Sequence, residues 1–537
     1  MAARRQHDRI RASRPRAIAT AFGVASLLSA CAVGPDFKRP ESPANADFTP
    51  KPLPATTDQA AVHGGEAQRF QLGHDIQFDW WTLFQSPALT SLVEQAFKAN
   101  PTIPAAVAAL KQAQENVYAQ QGYFFPTLQA GYTAQRQQLS GNTANSGEPG
   151  TQNNGWTIAQ NPSNNNRPVT YTFHTATLTV AYAPDVFGGN RRTVESLKAQ
   201  EEAQGFALEA AYITLASNVV AAALQEASVR EQIEATKDII RVNEKSLQIL
   251  NDQFRFGYAM RIDVAAQEAA LAAARALLPP LEKQYEQTRD LIRALVGNLP
   301  NQDVPETFTL ASIHLPEQPP VSLPSKLIEQ RPDVRAAEEQ MHSASAQVGV
   351  AISNELPQFN ITAALGGNAA NLAWNQMFGN GGTFWNMAMQ VTQPLFDGLT
   401  LLHRRRAADQ ALIQAQAQYR STVIAAFQNV ADTLHALVSD ATALNAALAA
   451  EQAAKVTLDL TAKQQQVGYV NYLTLLTAEQ AYQTAVATRV QAQATRFGDT
   501  AALYQALGGG WWHREDGKSK AAEAAPAEGN SIKIAGK

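Results

Sequence analysis

Offset by 231 residues, the chain repeats itself: Pro101 falls on Pro332, Ala105 on Ala336, Ala113 on Ala344, Val117 on Val348 and Pro126 on Pro357. Toward the end of each copy the offset is 211, which aligns Gly257-Tyr258 with Gly468-Tyr469 and Gly297 with Gly508. Length alone would suggest several unlike domains, whereas a duplication demands two copies of one unit. The offset shrinks between Pro126 and Gly257, so the first copy holds an insertion. Residues 139–168, crowded with Asn, Gly, Ser and Pro, are where it fits, and that composition predicts a long exposed loop.

Both copies carry the same two kinds of element. On either side of the loop, apolar Leu128, Ala130, Tyr132 and Ala134 alternate with Gln129, Thr133 and Gln135, and Ala176, Leu178, Val180 and Tyr182 alternate with threonines. The second copy repeats this with Phe359, Ile361, Ala363 and Leu365, then Trp385, Met387, Met389 and Val391, set against Gln, Asn and Thr. Period-two alternation predicts four two-faced strands in two hairpins, at about 127–136, 172–183, 358–366 and 383–393. A half-buried soluble sheet would alternate in the same way.

The remainder predicts long helix. Residues 189–257 and 398–468 are rich in Ala, Gln and Leu and contain no proline, and Val430, Leu434, Leu437, Ala441, Leu444 and Leu448 keep coiled-coil spacing. At 1.5 Å per residue these helices would run roughly 100 Å, too long for a globular core. A helix of about 40 residues follows each, and a shorter one precedes each strand pair, opened by Pro101 or Pro332 and closed before Pro126 or Pro357. The fold class is therefore mainly α with a small β part. Four strands cannot close a barrel, since about eight is the practical minimum. Three chains sharing one would supply about twelve strands over a helical barrel, a tunnel with Gln, Thr and Asn toward a wet lumen and Trp385, Phe359 and Tyr182 toward lipid. Arg191-Arg192 and the run Arg404, Arg405 and Arg406 follow the strands, where headgroups or a lumen mouth would be.

The first residues carry six arginines (Arg4, Arg5, Arg9, Arg11, Arg14 and Arg16), followed by an uncharged stretch too short to span a bilayer. This predicts a signal peptide over residues 1–30, ending in Leu28-Ser29-Ala30-Cys31, which resembles a lipoprotein processing site whose cysteine receives diacylglycerol and N-acyl chains. Cys31 is the only cysteine, which excludes an intrachain disulfide and a thiolate metal site. Ala32 stands where an aspartate would resemble an inner-membrane retention signal, so outer-membrane sorting is expected. No later apolar run reads as a membrane helix. With 43 basic against 47 acidic residues, nothing asks for nucleic acid. No phosphate-loop, H-E-x-x-H or G-x-S-x-G segment suggests an enzyme, and nine scattered histidines suggest no metal cluster, His435 reading as a surface or seam residue of its helix.

The segment Cys31-Ala32-Val33-Gly34-Pro35-Asp36-Phe37, the duplication, and the run from Gly468-Tyr469 through Asn471-Tyr472-Leu473-Thr474-Leu475-Leu476 resemble the TolC-like outer-membrane efflux factors, lipoprotein branch of the OprM/NodT type. The resemblance extends to about residue 512. It implies a homotrimer closing a 12-stranded β-barrel and a periplasmic α-helical barrel, anchored in outer-membrane lipid. It also implies a periplasmic adaptor and an inner-membrane pump, usually of the resistance-nodulation-division class, with no cofactor and no chemistry in this subunit. On that basis residues 31–80 form a lipidated extended segment, 81–300 and 325–510 the two repeats, 301–324 a linker and 511–537 a disordered tail.

The resemblance places a periplasmic tip at the turns Gly257-Tyr258 and Gly468-Tyr469, with a gate among Asp263, Leu473, Thr474, Leu476 and Thr477. Relatives often carry aspartates where this chain has Thr474 and Thr477, so its constriction would close by packing and narrow bore rather than by charge. Asp263 matches the family position that ties the tip shut, but Gln465 and Val470 stand where its ion-pair partners would be; a solvated charge beside Arg261 is a reading of equal weight. Two other functions fit some of these features, a channel for type I protein secretion and a non-channel coiled-coil lipoprotein acting as a spacer. Two copies, each with its own strand pair, favour the channel over the spacer.

Overall fold

The computed structural model describes residues 32–41, 47–139, 169–370, 374–379 and 381–514. Cys31, residues 140–168 of the expected loop and residues 515–537 of the expected tail lie outside them. In chain order the main elements are α1 (Pro87–Ala99), α2 (Thr102–Gln121), β1 (Thr127–Leu139), β2 (Val169–Tyr182), α3 (Gly189–Arg255), α4 (Arg261–Leu295), α5 (Pro324–Gln330), α6 (Pro332–Ser353), β3 (Gln358–Ala370), β4 (Thr383–Thr392), α7 (Thr400–Gln466) and α8 (Tyr472–Ala506). The main elements recur in the same order in both copies: α3 and α7 each span 67 residues, and α4 and α8 each span 35. The chain forms two compact units. One comprises residues up to Lys38 with Gln112–Glu201 and Glu339–Gln416; the other comprises Arg39–Lys111, Glu202–Glu338 and the chain from Ala417 onward.

The first unit holds the sheet. Its order is β1-β2-β3-β4, antiparallel throughout, so the expected hairpins are joined by a third pairing between β2 and β3. The register puts Leu128, Val180, Ala363 and Met387 in one cross-strand row and Ala130, Leu178, Leu365 and Trp385 in the next. Gln129, Thr179, Ala364 and Asn386 form a row of opposite parity. Side chains on a pleated strand alternate faces, so a one-residue slip in any pairing would mix the two sets. The apolar face is bare, with Trp385 and Met387 77% and 72% exposed.

The second unit holds the core. Trp80, Trp81, Phe84, Leu89, Leu92 and Tyr504 are fully or almost fully buried there, and Trp80 stacks on Tyr504 with ring centroids 5.2 Å apart. Residues 301–324, between the two repeats, pack into this core: Val304, Phe308, Leu310, Ile313 and Leu315 are buried, and Pro320–Val321 pairs in parallel with Gln71–Leu72. The tail cannot begin at 511, because the Trp511 indole N–H donates to the Gln330 carbonyl at 2.6 Å and Arg514 pairs with Glu209 at 2.6 Å while lying over the Tyr212 ring. One window of α3 is also apolar enough to cross a membrane, against the sequence reading, but 61% of it is buried, and Val219, Val220, Ala223 and Leu224 belong to the core.

The coiled-coil seam of α7 is buried at Val430, Leu434, Leu437, Ala441 and Leu444; Leu448 is only half-buried and Ala447 takes its place, while His435 is exposed. Helix α4 contains Pro279 and Pro280, whereas the equivalent positions of α8 are Val490 and Gln491. Each proline removes one backbone hydrogen bond from α4, so the copies share length but not stiffness.

Candidate functional site

The helix turns close in the same way in both copies. At the end of α3, Gly257 adopts φ 81° and the Tyr258 N–H reaches back to the Gln253 carbonyl at 2.8 Å; at the end of α7, Gly468 adopts φ 80° and the Tyr469 N–H reaches Gln464 at 2.9 Å. Both are left-handed helix caps that satisfy otherwise orphaned carbonyls, and nothing lies within 4 Å of a Cβ added to either glycine. The requirement is therefore the positive φ. Around the turns the surface is apolar: Phe256, Tyr258, Met260, Ile262, Val467, Tyr469 and Leu473 are all exposed.

The following helices start differently. Asp263, in the first turn of α4, accepts the Met260 N–H at 3.1 Å, whereas at α8 the cap is Asn471, whose side-chain oxygen accepts from the Thr474 N–H at 3.0 Å and the Thr474 hydroxyl at 2.8 Å. Asp263 is thus a helix-capping carboxylate near the positive end of the helix dipole, not a bare solvated charge. Arg261 lies 3.5 Å from Glu268 instead. The Thr477 hydroxyl donates to the Leu473 carbonyl at 2.9 Å. Both candidate-gate threonines therefore spend their protons on their own helix.

Leu473 and Leu476 separate. The first is 58% exposed and the second 5%, so Leu476 packs inside the subunit and only Leu473 offers a free apolar surface. A polar chain that the motif comparison missed lies beside Leu476. The Tyr472 hydroxyl on α8 donates to Gln267 Oε1 on α4 at 2.6 Å, and Gln267 Nε2 donates to the Asn243 carbonyl and Oδ1 on α3 at 3.0 and 3.1 Å. Gln267 and Asn243 are buried, so each of these bonds forms where water cannot replace it. Burial pushes the Tyr472 phenol and the neighbouring Glu479 carboxyl above their ordinary ranges. The signal for this stitch was the run Asn471-Tyr472, but nothing local identifies Gln267 as its partner.

The sheet of the first unit is a separate candidate surface. One face is apolar and exposed, the other carries Gln, Thr and Asn, and among the described residues β1 and β4 are the edges of the sheet. No group of three or more potential metal ligands occurs among the described residues.

A protein-family description, "Outer membrane efflux protein", matches residues 92–298 and 323–509, most of the chain, in two segments that coincide with the two copies. The chain belongs to the outer membrane efflux protein family. It is similar to the pyoverdine export outer membrane protein OpmQ of Pseudomonas aeruginosa, 28% identical over 82% of this chain and 89% of the relative. It is likewise similar to the toluene efflux pump outer membrane protein TtgC of Pseudomonas putida, 25% identical over 91% of this chain and 95% of the relative. In fold it resembles the CmeC outer membrane channel of Campylobacter jejuni, with a TM-score of 0.77, 20% identity and coverage of 92% of this chain and 98% of that one. Family membership makes this chain an outer-membrane efflux channel protein.

Proposed function

We propose that three copies of this chain close a 12-stranded barrel in the outer membrane and a helical barrel in the periplasm, anchored by acyl chains on Cys31, and form the exit conduit of a tripartite pump. The observation that carries this reading is the open four-stranded sheet with one bare apolar face. An exposed edge on each side, beside an apolar surface, is a liability in water and an assembly surface in a membrane. Pairing β1 of one copy with β4 of the next removes both edges, and the Gln, Thr and Asn face then lines a wet lumen. The apolar rim around Tyr258 and Tyr469 suits a periplasmic adaptor that bridges to an inner-membrane pump of the resistance-nodulation-division class. Relatives named for pyoverdine and toluene favour small toxic or secreted molecules over proteins as cargo. The constriction is at the helix turns, with Leu473 as its free apolar surface.

Light scattering of the purified protein in mild detergent tests the assembly. A protein mass three times that of the processed chain, stable to dilution, is the expected result; a monomer would leave both sheet edges open and exclude a barrel.

A further inference from the structure

We infer that Gly188, Arg192, His342 and Gly349 form a receptor for the hexapeptide following Cys31, and that this receptor fixes where the acyl chains of that cysteine enter the membrane. The inference rests on the lipid anchoring proposed above.

Arg192 is only 4% exposed, and a buried guanidinium requires acceptors. It donates to the Val33 carbonyl at 3.0 Å, the Gly34 carbonyl at 3.4 Å, Asp36 Oδ1 at 2.7 Å and Glu195 Oε2 at 2.8 Å. Three of these four partners belong to the segment, so without it the arginine would keep one. The Val33 N–H donates to the Phe187 carbonyl at 3.1 Å, and the Phe37 ring stacks on His342 with centroids 4.3 Å apart. His342 is itself held between Glu195 and Glu339, each 3.1 Å away.

Three glycines make the approach possible. Gly34 has φ 100°, and a Cβ there would sit 2.4 Å from the Gly349 Cα; a Cβ on Gly349 would meet the Arg192 side chain and the Val33 carbonyl at 2.9 Å; one on Gly188 would meet Ala32 at 2.7 Å. A segment resting loosely on a surface needs no glycine on both sides of the contact. Among the described residues the receptor occurs once. It is built from the strand-to-helix junction of the first copy and helix α6 of the second, whereas the second copy's own junction leaves Leu395 and Phe396 94% and 86% exposed.

The junction Phe187-Gly188 lies between β2 and α3, where the sheet gives way to helix. Cys31 directly precedes Ala32 in the sequence, so the held segment begins at the residue next to the proposed acylation site. The hexapeptide thus acts as a positioning element for the lipid rather than as a spacer.

The test uses the full-length lipoprotein in outer-membrane vesicles, with Gly34→Ala and Arg192→Gln as variants and Gly73→Ala, another positive-φ glycine with no neighbour nearer than 3.9 Å, as control. Mass spectrometry of the N-terminal peptide reports acylation, trypsin reports cleavage after Lys38, and a photoreactive phenylalanine at position 187 reports the nearness of the acylated peptide. The expected result is unchanged acylation, at least tenfold faster cleavage and at least tenfold less crosslinking in Gly34→Ala and Arg192→Gln, with the control like the native chain. If Arg192→Gln fails to assemble, Gly34→Ala carries the test, because Gly34 lies on the segment itself. An unacylated native peptide would defeat the anchoring reading; an acylated peptide whose cleavage and crosslinking do not respond to Gly34→Ala would overturn the receptor alone.

Discussion

Met387→Arg will remove the protein from the outer-membrane fraction, while Asn386→Arg, one residue earlier on the same strand, will leave it there. Met387 lies in the apolar cross-strand row with Leu128, Val180 and Ala363, and Asn386 lies in the opposite row with Gln129, Thr179 and Ala364. An arginine on the lipid face of a barrel costs about 2–4 kcal/mol near the midplane, and a trimer incurs that cost three times. On the lumen face the guanidinium stays in water. Asn386→Arg should instead add three positive charges to the lumen and move ion selectivity toward anions. Membrane fractionation with a heat-modifiability gel separates the outcomes. Equal loss in both variants would mean that the two faces do not differ in environment.

Trp80→Ala will be the most destabilising single truncation in the core. The indole is 1% exposed, stacks on Tyr504 at an interplanar angle of 11° and meets Trp81 and Phe84 edge-on. Large-to-small changes at such sites cost about 3–5 kcal/mol, through lost transfer free energy and the cavity left behind. Tyr504 is fully buried, and its hydroxyl has no hydrogen-bond partner among the described residues. The transition of the helical part, followed by circular dichroism in guanidinium, should move to a clearly lower midpoint. Leu448→Ala, on the half-buried edge of the seam, should move it far less. Similar shifts in the two would mean that the aromatic cluster is not what holds this unit together.

What the sequence revealed follows the reach of each interaction. The long helices, their glycine caps and the four strands depend on local periodicity and on single residues such as Gly257 and Gly468, and these are visible within a window of a few turns. Which strand pairs with which is partly visible, because apolar and polar parity must match across every pairing. That β2 would take β3 as its other neighbour is a long-range fact, as is the packing of Phe308 and Ile313 into a core built largely from helices elsewhere in the chain. Motif comparison placed Leu473 and Leu476 together, yet a step of three residues rotates a helix by about 300° rather than a full turn. That is enough to expose one and bury the other. The Tyr472–Gln267–Asn243 chain joins three helices, and the Arg192 receptor joins residues 156 apart in sequence at Asp36. No local pattern encodes either.

The most direct test of the channel is single-channel conductance in planar bilayers, comparing the native protein with Thr474→Asp and Thr477→Asp. The native threonines are uncharged and bonded to their own helix, and Leu473 is the free apolar side chain beside them. A small, weakly selective native conductance is expected, with cation preference rising once carboxylates replace the threonines. A protein that inserts as a trimer but conducts widely, with no response to either aspartate, would place the constriction elsewhere; a protein that never conducts would contradict the channel itself.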